Sequence, residues 1–198
     1  MSDYFKTLAA TSEGIYKEKM SKFISFAIPV NSATEAKEII KQYQKRFYDA
    51  RHVCWAYMIG TDRTEFLSSD NGEPSGTAGR PILGQINSFG LTNVLIIVVR
   101  YFGGILLGTS GLIIAYREAA ADAINNATIL ECHEQGHIIF TFPYLGMNDV
   151  MKLIKRENLK VIDQKFDNLC EMTIQANLDD IAALKKKISD LDGTSILE

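Results

Sequence analysis

Six aliphatic residues in a row, Val94 to Val99, stop at Arg100 and lead through Gly103-Gly104 and Gly108 into the Ala-rich stretch Thr109 to Ala127. An apolar run this short cannot span a bilayer, which takes about 20 residues as a helix. Its Val and Ile content suits a strand buried in a sheet, and the glycines that follow mark a turn opening a helix. The chain must therefore build a mixed fold in which a buried strand hands over to a long helix.

The rest of the sequence fits around that unit. Glu13 to Lys17 and Lys22 to Pro29 alternate as strands. Asn31, Ser32 and Thr34 offer N-caps to a helix of about four turns carrying Ala36, Ile39, Ile40, Tyr43 and Phe47. His52 to Gly60 and Arg63 to Ser69 read as paired strands before the turn signal Asn71-Gly72. Pro81 to Phe89 suits a helix with proline at its first position, Asn93 to Arg100 is the buried strand, and Thr109 to Ala127 is a helix capped by Thr109 or Ser110. The pattern is ββαββαβα. A second pattern starts near Gly136: His137 to Phe142, Gly146 to Glu157, Lys160 to Phe166, Cys170 to Ala176, Asp179 to Leu191 and Ser195 to Leu197 give βαββαβ, the ferredoxin-like order. Asp179-Asp180 and Asp192-Gly193 are read as the cap and the C-terminal glycine of its last helix. The expected class is α+β with two domains, 1–130 and 131–198, joined between Ala127 and Gly136.

Composition narrows the function. With 46% hydrophobic and 23% charged residues the 198-residue chain can bury real cores. A net charge of −3 argues against bulk coating of nucleic acid, but the charge is uneven. Residues 1–130 hold 13 Lys and Arg against 12 Asp and Glu, and residues 131–198 hold 8 against 12, so a polyanion site belongs in the first half. Three scattered cysteines, Cys54, Cys132 and Cys170, form no metal or disulfide pattern. No targeting or membrane segment is recognised, and a cytoplasmic location is expected.

Two segments concentrate chemistry. Ser69 to Leu83, SDNGEPSGTAGRPIL, sets Asp70, Glu73, Ser75, Thr77 and Arg80 among glycines, as in a loop shaped for close backbone approach; alternatively Asp70 and Glu73 form an internal network with Arg80. Val99 to Arg117, VRYFGGILLGTSGLIIAYR, places Gly103, Gly104, Gly108, Thr109, Ser110 and Gly111 at a helix start, where free N–H groups favour anions, with Arg100 and Arg117 nearby. A nucleotide-triphosphate loop is rejected, because Thr109 stands where lysine is needed and Ile105, Leu106 and Leu107 are apolar. Alternatively, the glycines only permit tight packing and Arg100 pairs with Asp70 or Glu73. His133-Glu134-Gln135-Gly136-His137 matches a zinc-protease spacing, but Gly136 and the strand-like residues after it deny the required helix, so no metal is expected. His52 and Cys54 sit two apart on a strand, too far for direct proton transfer, and Trp55, Tyr57 and Phe66 are read as core.

SDNGEPSGTAGRPIL together with VVRYFGGILLGTSGLIIAYREAA resembles the signature of the YigZ/IMPACT family, and Ser21 to Ile24 and His52 to Tyr57 fit its spacing. The resemblance covers about Thr11 to Asn126; the acidic second domain is similar to the extra domain of the bacterial branch. It implies a first domain like domain 2 of ribosomal protein S5 and a second like domain V of elongation factor G. Those relatives point toward translation, by analogy of fold. The eukaryotic relatives regulate translation initiation through an added RWD domain, for which this sequence leaves no room, so that pathway is not expected here. Asn71 departs from the family pattern, which has a second acidic residue there.

The expectation is a translation-associated binding protein in which Arg80, Arg100, Arg117 and the Gly108 to Gly111 helix start contact phosphate groups of RNA, the ribosome or another anionic ligand. No catalytic residue and no cofactor are assigned. The alternatives are a hydrolase or transferase using Asp70 or Glu73, and a protein-interaction adaptor whose signature is structural.

Overall fold

The computed structural model describes residues 4–197, which divide into two compact units, Tyr4–Cys132 and 133–197. The first unit runs β1 (Tyr4–Leu8), β2 (Ser12–Glu18), β3 (Ser21–Pro29), α1 (Ala33–Arg46), β4 (His52–Ile59), β5 (Glu65–Ser69), α2 (Gly79–Ser88), β6 (Val94–Tyr101), α3 (Gly108–Asn125) and β7 (Ile129–His133). A five-stranded sheet has the order β2-β3-β6-β4-β5, with β6 pairing antiparallel to both β3 and β4. Its central strand is the aliphatic run, and Val94 to Val99 are all fully buried. Alternation along β6 sends Val94, Ile96 and Val98 to a core shared with α2 and α3, and Leu95, Ile97 and Val99 to one shared with α1. That double coverage is why no polar residue interrupts the run.

Ser32 caps α1 by accepting the Glu35 N–H, while the Glu35 carboxylate returns to the N–H of Asn31 at 2.7 Å. The other expected helix ends differ. Helix α3 begins at Gly108 after Leu107 with no side-chain cap, so Thr109 and Ser110 lie inside the first turn. Helix α2 starts at Gly79, which puts Pro81 at the third position, where its missing N–H still costs no helical bond. Strands β1 and β7, absent from the sequence reading, pair with each other in a two-stranded sheet.

The second unit holds β8 (Gln135–Pro143), α4 (Met147–Arg156), β9 (Lys160–Lys165), β10 (Leu169–Asn177), α5 (Leu178–Ser189) and β11 (Ser195–Ile196). Its sheet order β11-β8-β10-β9 is that of a ferredoxin-like fold. Helix α5 is entered through Asn177, and Asp179 and Asp180 occupy its first turn rather than its cap. Gly193, at φ +74°, lies beyond the cap residue Asp190, because Leu191 and Thr194 continue the turn through N–H bonds to Ile188 and Leu191. His133 ends β7 and His137 lies in β8, so the zinc-like spacing falls on strands. Among the described residues no group of three His, Cys, Asp or Glu could hold a metal ion, and no helix is long and apolar enough to cross a membrane.

Candidate functional site

The loop after β5 is built around Asp70. Its carboxylate accepts the N–H groups of Gly76 at 2.8 Å, Ala78 at 3.0 Å and Gly79 at 2.8 Å, and so caps α2 from a distance. The loop turns through Asn71, Gly72 and Gly76, all at positive φ, and Thr77 ties it with a 2.6 Å bond from its hydroxyl to the carbonyl of Pro74. Burial alone would raise the Asp70 carboxyl, but the N–H donors of Gly76, Gly79 and Ala78, with the charge of Arg80, outweigh it and hold the group below the ordinary carboxylate range. The alternative reading, a network of Asp70 and Glu73 with Arg80, is not what forms: Asp70 binds backbone N–H groups, and Ser75 and Arg80 are exposed.

Glu73 turns inward to a different arginine. Strand pairing sets Arg100 of β6 directly between Phe23 of β3 and His52 of β4. Arg100 Nη1 lies 2.6 Å from Glu73 Oε1, with side chains only 7% and 3% exposed. The same oxygen accepts the Tyr116 hydroxyl of α3 at 2.8 Å, and Glu73 Oε2 lies 3.8 Å from His52 Nε2. His52 Nδ1 is 2.9 Å from the Asn71 carbonyl oxygen, which can only accept, so Nδ1 carries the proton. Cys54 lies beneath, its thiol 2.9 Å from the Asp70 carbonyl and 3.3 Å from the Tyr116 oxygen. Burial pushes both the Cys54 thiol and the Tyr116 hydroxyl strongly up, so both stay protonated.

This cluster forms one wall of a cavity of about 430 Å³ that lies wholly within the first unit. Arg51, His52, Glu73 and Arg100 line one part; Pro74, Phe102, Leu106, Leu107 and Leu112 make an apolar remainder; Gly108 and Thr109 bring the start of α3 to it. The Arg100 guanidinium sits over the rings of Phe23 at 5.6 Å and Phe102 at 5.5 Å. Its Nε is buried with no partner. Nη2 also makes no hydrogen bond, yet it is not sealed from solvent.

Of the residues expected to gather here, Arg100, Glu73, Gly108 and Thr109 do so. Arg117 points elsewhere on α3, where it is exposed and pairs with Glu118 at 3.0 Å, and neither Arg80 nor Ser110 lines the cavity. Gly103 serves packing, since a Cβ there would collide with the backbone of Met20 and Ser21. Gly104 and Gly108, at φ +86° and +72°, supply left-handed conformations that aim the loop into α3, and Gly111 lets Leu107 lie against the helix. Sequence reasoning missed Arg51, Phe102 and the nearness of His52 to Arg100; only the neighbouring of β4 and β6 reveals it. Trp55 and Tyr57 stack 5.9 Å apart on β4, while Phe66 is exposed on the edge strand β5.

A double-sided sheet domain with a charged cavity at a helix start, followed by a ferredoxin-like unit, defines a two-domain α+β protein. Residues 19–124 match the Impact N-terminal domain, and the chain belongs to the IMPACT family. It is 38% identical to the IMPACT family member YvyE of Bacillus subtilis over 131 residues, which make up 66% of this chain and 60% of that protein. It is 29% identical to YigZ of Escherichia coli over 180 residues, 90% of this chain and 88% of that one. A solved structure titled as a hypothetical protein superimposes with a TM-score of 0.74 at 27% identity, covering 100% of this chain and 98% of the other. The matched segment lies wholly within the first unit, which is a mixed α+β domain.

Proposed function

We propose that this chain is a translation-associated regulatory protein that binds a phosphate-bearing ligand, RNA foremost, through the cavity at the start of α3. The family resemblance supports the translation setting. One observation carries the binding: a nearly buried arginine that lines the cavity spends Nη1 on Glu73 and has no second hydrogen-bond partner, and the same cavity receives the uncapped N-terminus of an 18-residue helix. Because Glu73 neutralises Arg100, the working positive charge is exposed Arg51 plus about half a charge from the helix. That suits one phosphate rather than a tract. Both Asp70 oxygens and Glu73 Oε1 are engaged in internal bonds, and Glu73 Oε2 lies 3.8 Å from His52 Nε2, which weighs against the acid/base reading.

The test is retention of single-stranded RNA as a function of salt. Arg51→Glu is expected to abolish retention while Arg80→Glu and Arg117→Glu preserve it, and the wild-type slope should correspond to one or two phosphates at about −0.7 each. Equal retention by the Arg51→Glu protein would refute the assignment.

A further inference from the structure

Resting on that reading, we propose that the cavity receives one unstacked nucleotide, its base against Phe102 and Leu112 and its single phosphate between Arg51 and the N–H groups of Gly108 and Thr109. The cavity's 430 Å³ falls within the range of about 300–1,000 Å³ that suits one small ligand. Its composition is divided in the way a nucleotide is divided. The lining combines cationic and N–H groups with apolar and aromatic ones.

Phe102 is the natural platform. The ring is 47% exposed although it is held in place by the Arg100 guanidinium 5.5 Å from its centroid. Beside it on the same short loop, Ile105 and Leu106 are 49% and 83% exposed. Apolar side chains gathered on one loop mark a surface that meets something else, and stacking on an aromatic ring accepts any base. A bare anion would leave these walls uncovered, and an apolar molecule without charge would leave Arg51 and the helix start unanswered.

The acidic member of the wall sets the charge. Glu73 lies beside His52 in the lining, so a second or third phosphate would meet a carboxylate. The ligand class is therefore a base with one phosphate group, either a residue within a single strand or a free nucleoside monophosphate.

The experiment measures anisotropy of a labelled ten-nucleotide single-stranded RNA on the full chain, with competition by an abasic strand of equal length, nucleoside monophosphates and inorganic phosphate. The intact strand should compete at least tenfold better than the abasic one. Phe102→Ala should weaken binding about 5- to 150-fold and erase that difference, with the unfolding midpoint followed by Trp55 fluorescence unchanged. Competition by monophosphates but not by inorganic phosphate supports the nucleotide chemistry and identifies a small-molecule source. If the abasic strand or inorganic phosphate competes as well as the intact strand, and Phe102→Ala binds normally, the nucleotide pocket is refuted while RNA binding stands. If no strand binds at low salt, the function proposed above falls as well, and the nucleotide pocket with it.

Discussion

Replacing Glu73 by Gln isolates the interior ion pair, because the amide keeps the shape of the side chain and an oxygen for the Tyr116 hydroxyl while removing the charge that answers Arg100. Breaking a buried pair from one side costs about 3–5 kcal/mol, most of it the desolvated charge left behind. Here Arg100 lines the cavity and is not wholly sealed from water, so the lower end, about 3 kcal/mol, applies. For a unit of about 130 residues the entropy of unfolding is roughly 0.27 kcal/mol per kelvin. The melting temperature should therefore fall by about 11 °C. Trp55, the chain's single tryptophan, lies in β4 of this unit, so its fluorescence follows the relevant transition. Glu73→Gln combined with Arg100→Met removes both charges and should restore most of the loss. A drop below about 1 kcal/mol for the single variant, or a double variant as unstable as the single, would refute the view that an uncompensated Arg100 is what destabilises.

Acid should act through Asp70. Its carboxyl sits below the usual range in the folded chain, so its contribution is complete above the unfolded value near about 4 and is lost as pH falls through the lower folded value; Asp70→Asn should flatten that acid limb of the urea midpoint. Gly14→Ala should destabilise by about 1–3 kcal/mol in chemical denaturation, since the added methyl would press on the backbone of Ala123 in α3 and lie 2.7 Å from Ser25 Oγ. Among the cysteines, half-exposed Cys132 should react promptly with a thiol reagent at pH 8, while buried Cys54, its thiol pushed up by burial, and buried Cys170 should react only on unfolding; prompt labelling of Cys54 would contradict the packing described.

Local chemistry was readable where a few adjacent residues settle the outcome. The Ser32 and Glu35 cap and the buried run of β6 are of that kind. Strands β1 and β7 escaped because each is short and β7 is largely exposed; their register with one another, across more than a hundred residues, is what makes them strands. Helix starts slipped for a similar reason. Asp70 supplies the cap of α2 from outside the helix, and α3 begins at a glycine in the left-handed region that no hydroxyl precedes. The pairing of Arg100 with Glu73 was one of the alternatives visible in the sequence. Its companions His52 and Tyr116 were not, since the pairing of β4 with β6 brings in the first and the packing of α3 against the sheet brings in the second.

The pairing of β1 with β7 brings the two ends of the first unit side by side, with the N–H of Ala9 bonded to the carbonyl of Thr128. The polypeptide thus enters and leaves this module at the same doorway. A module of that shape can be spliced into different surroundings without disturbing its interior.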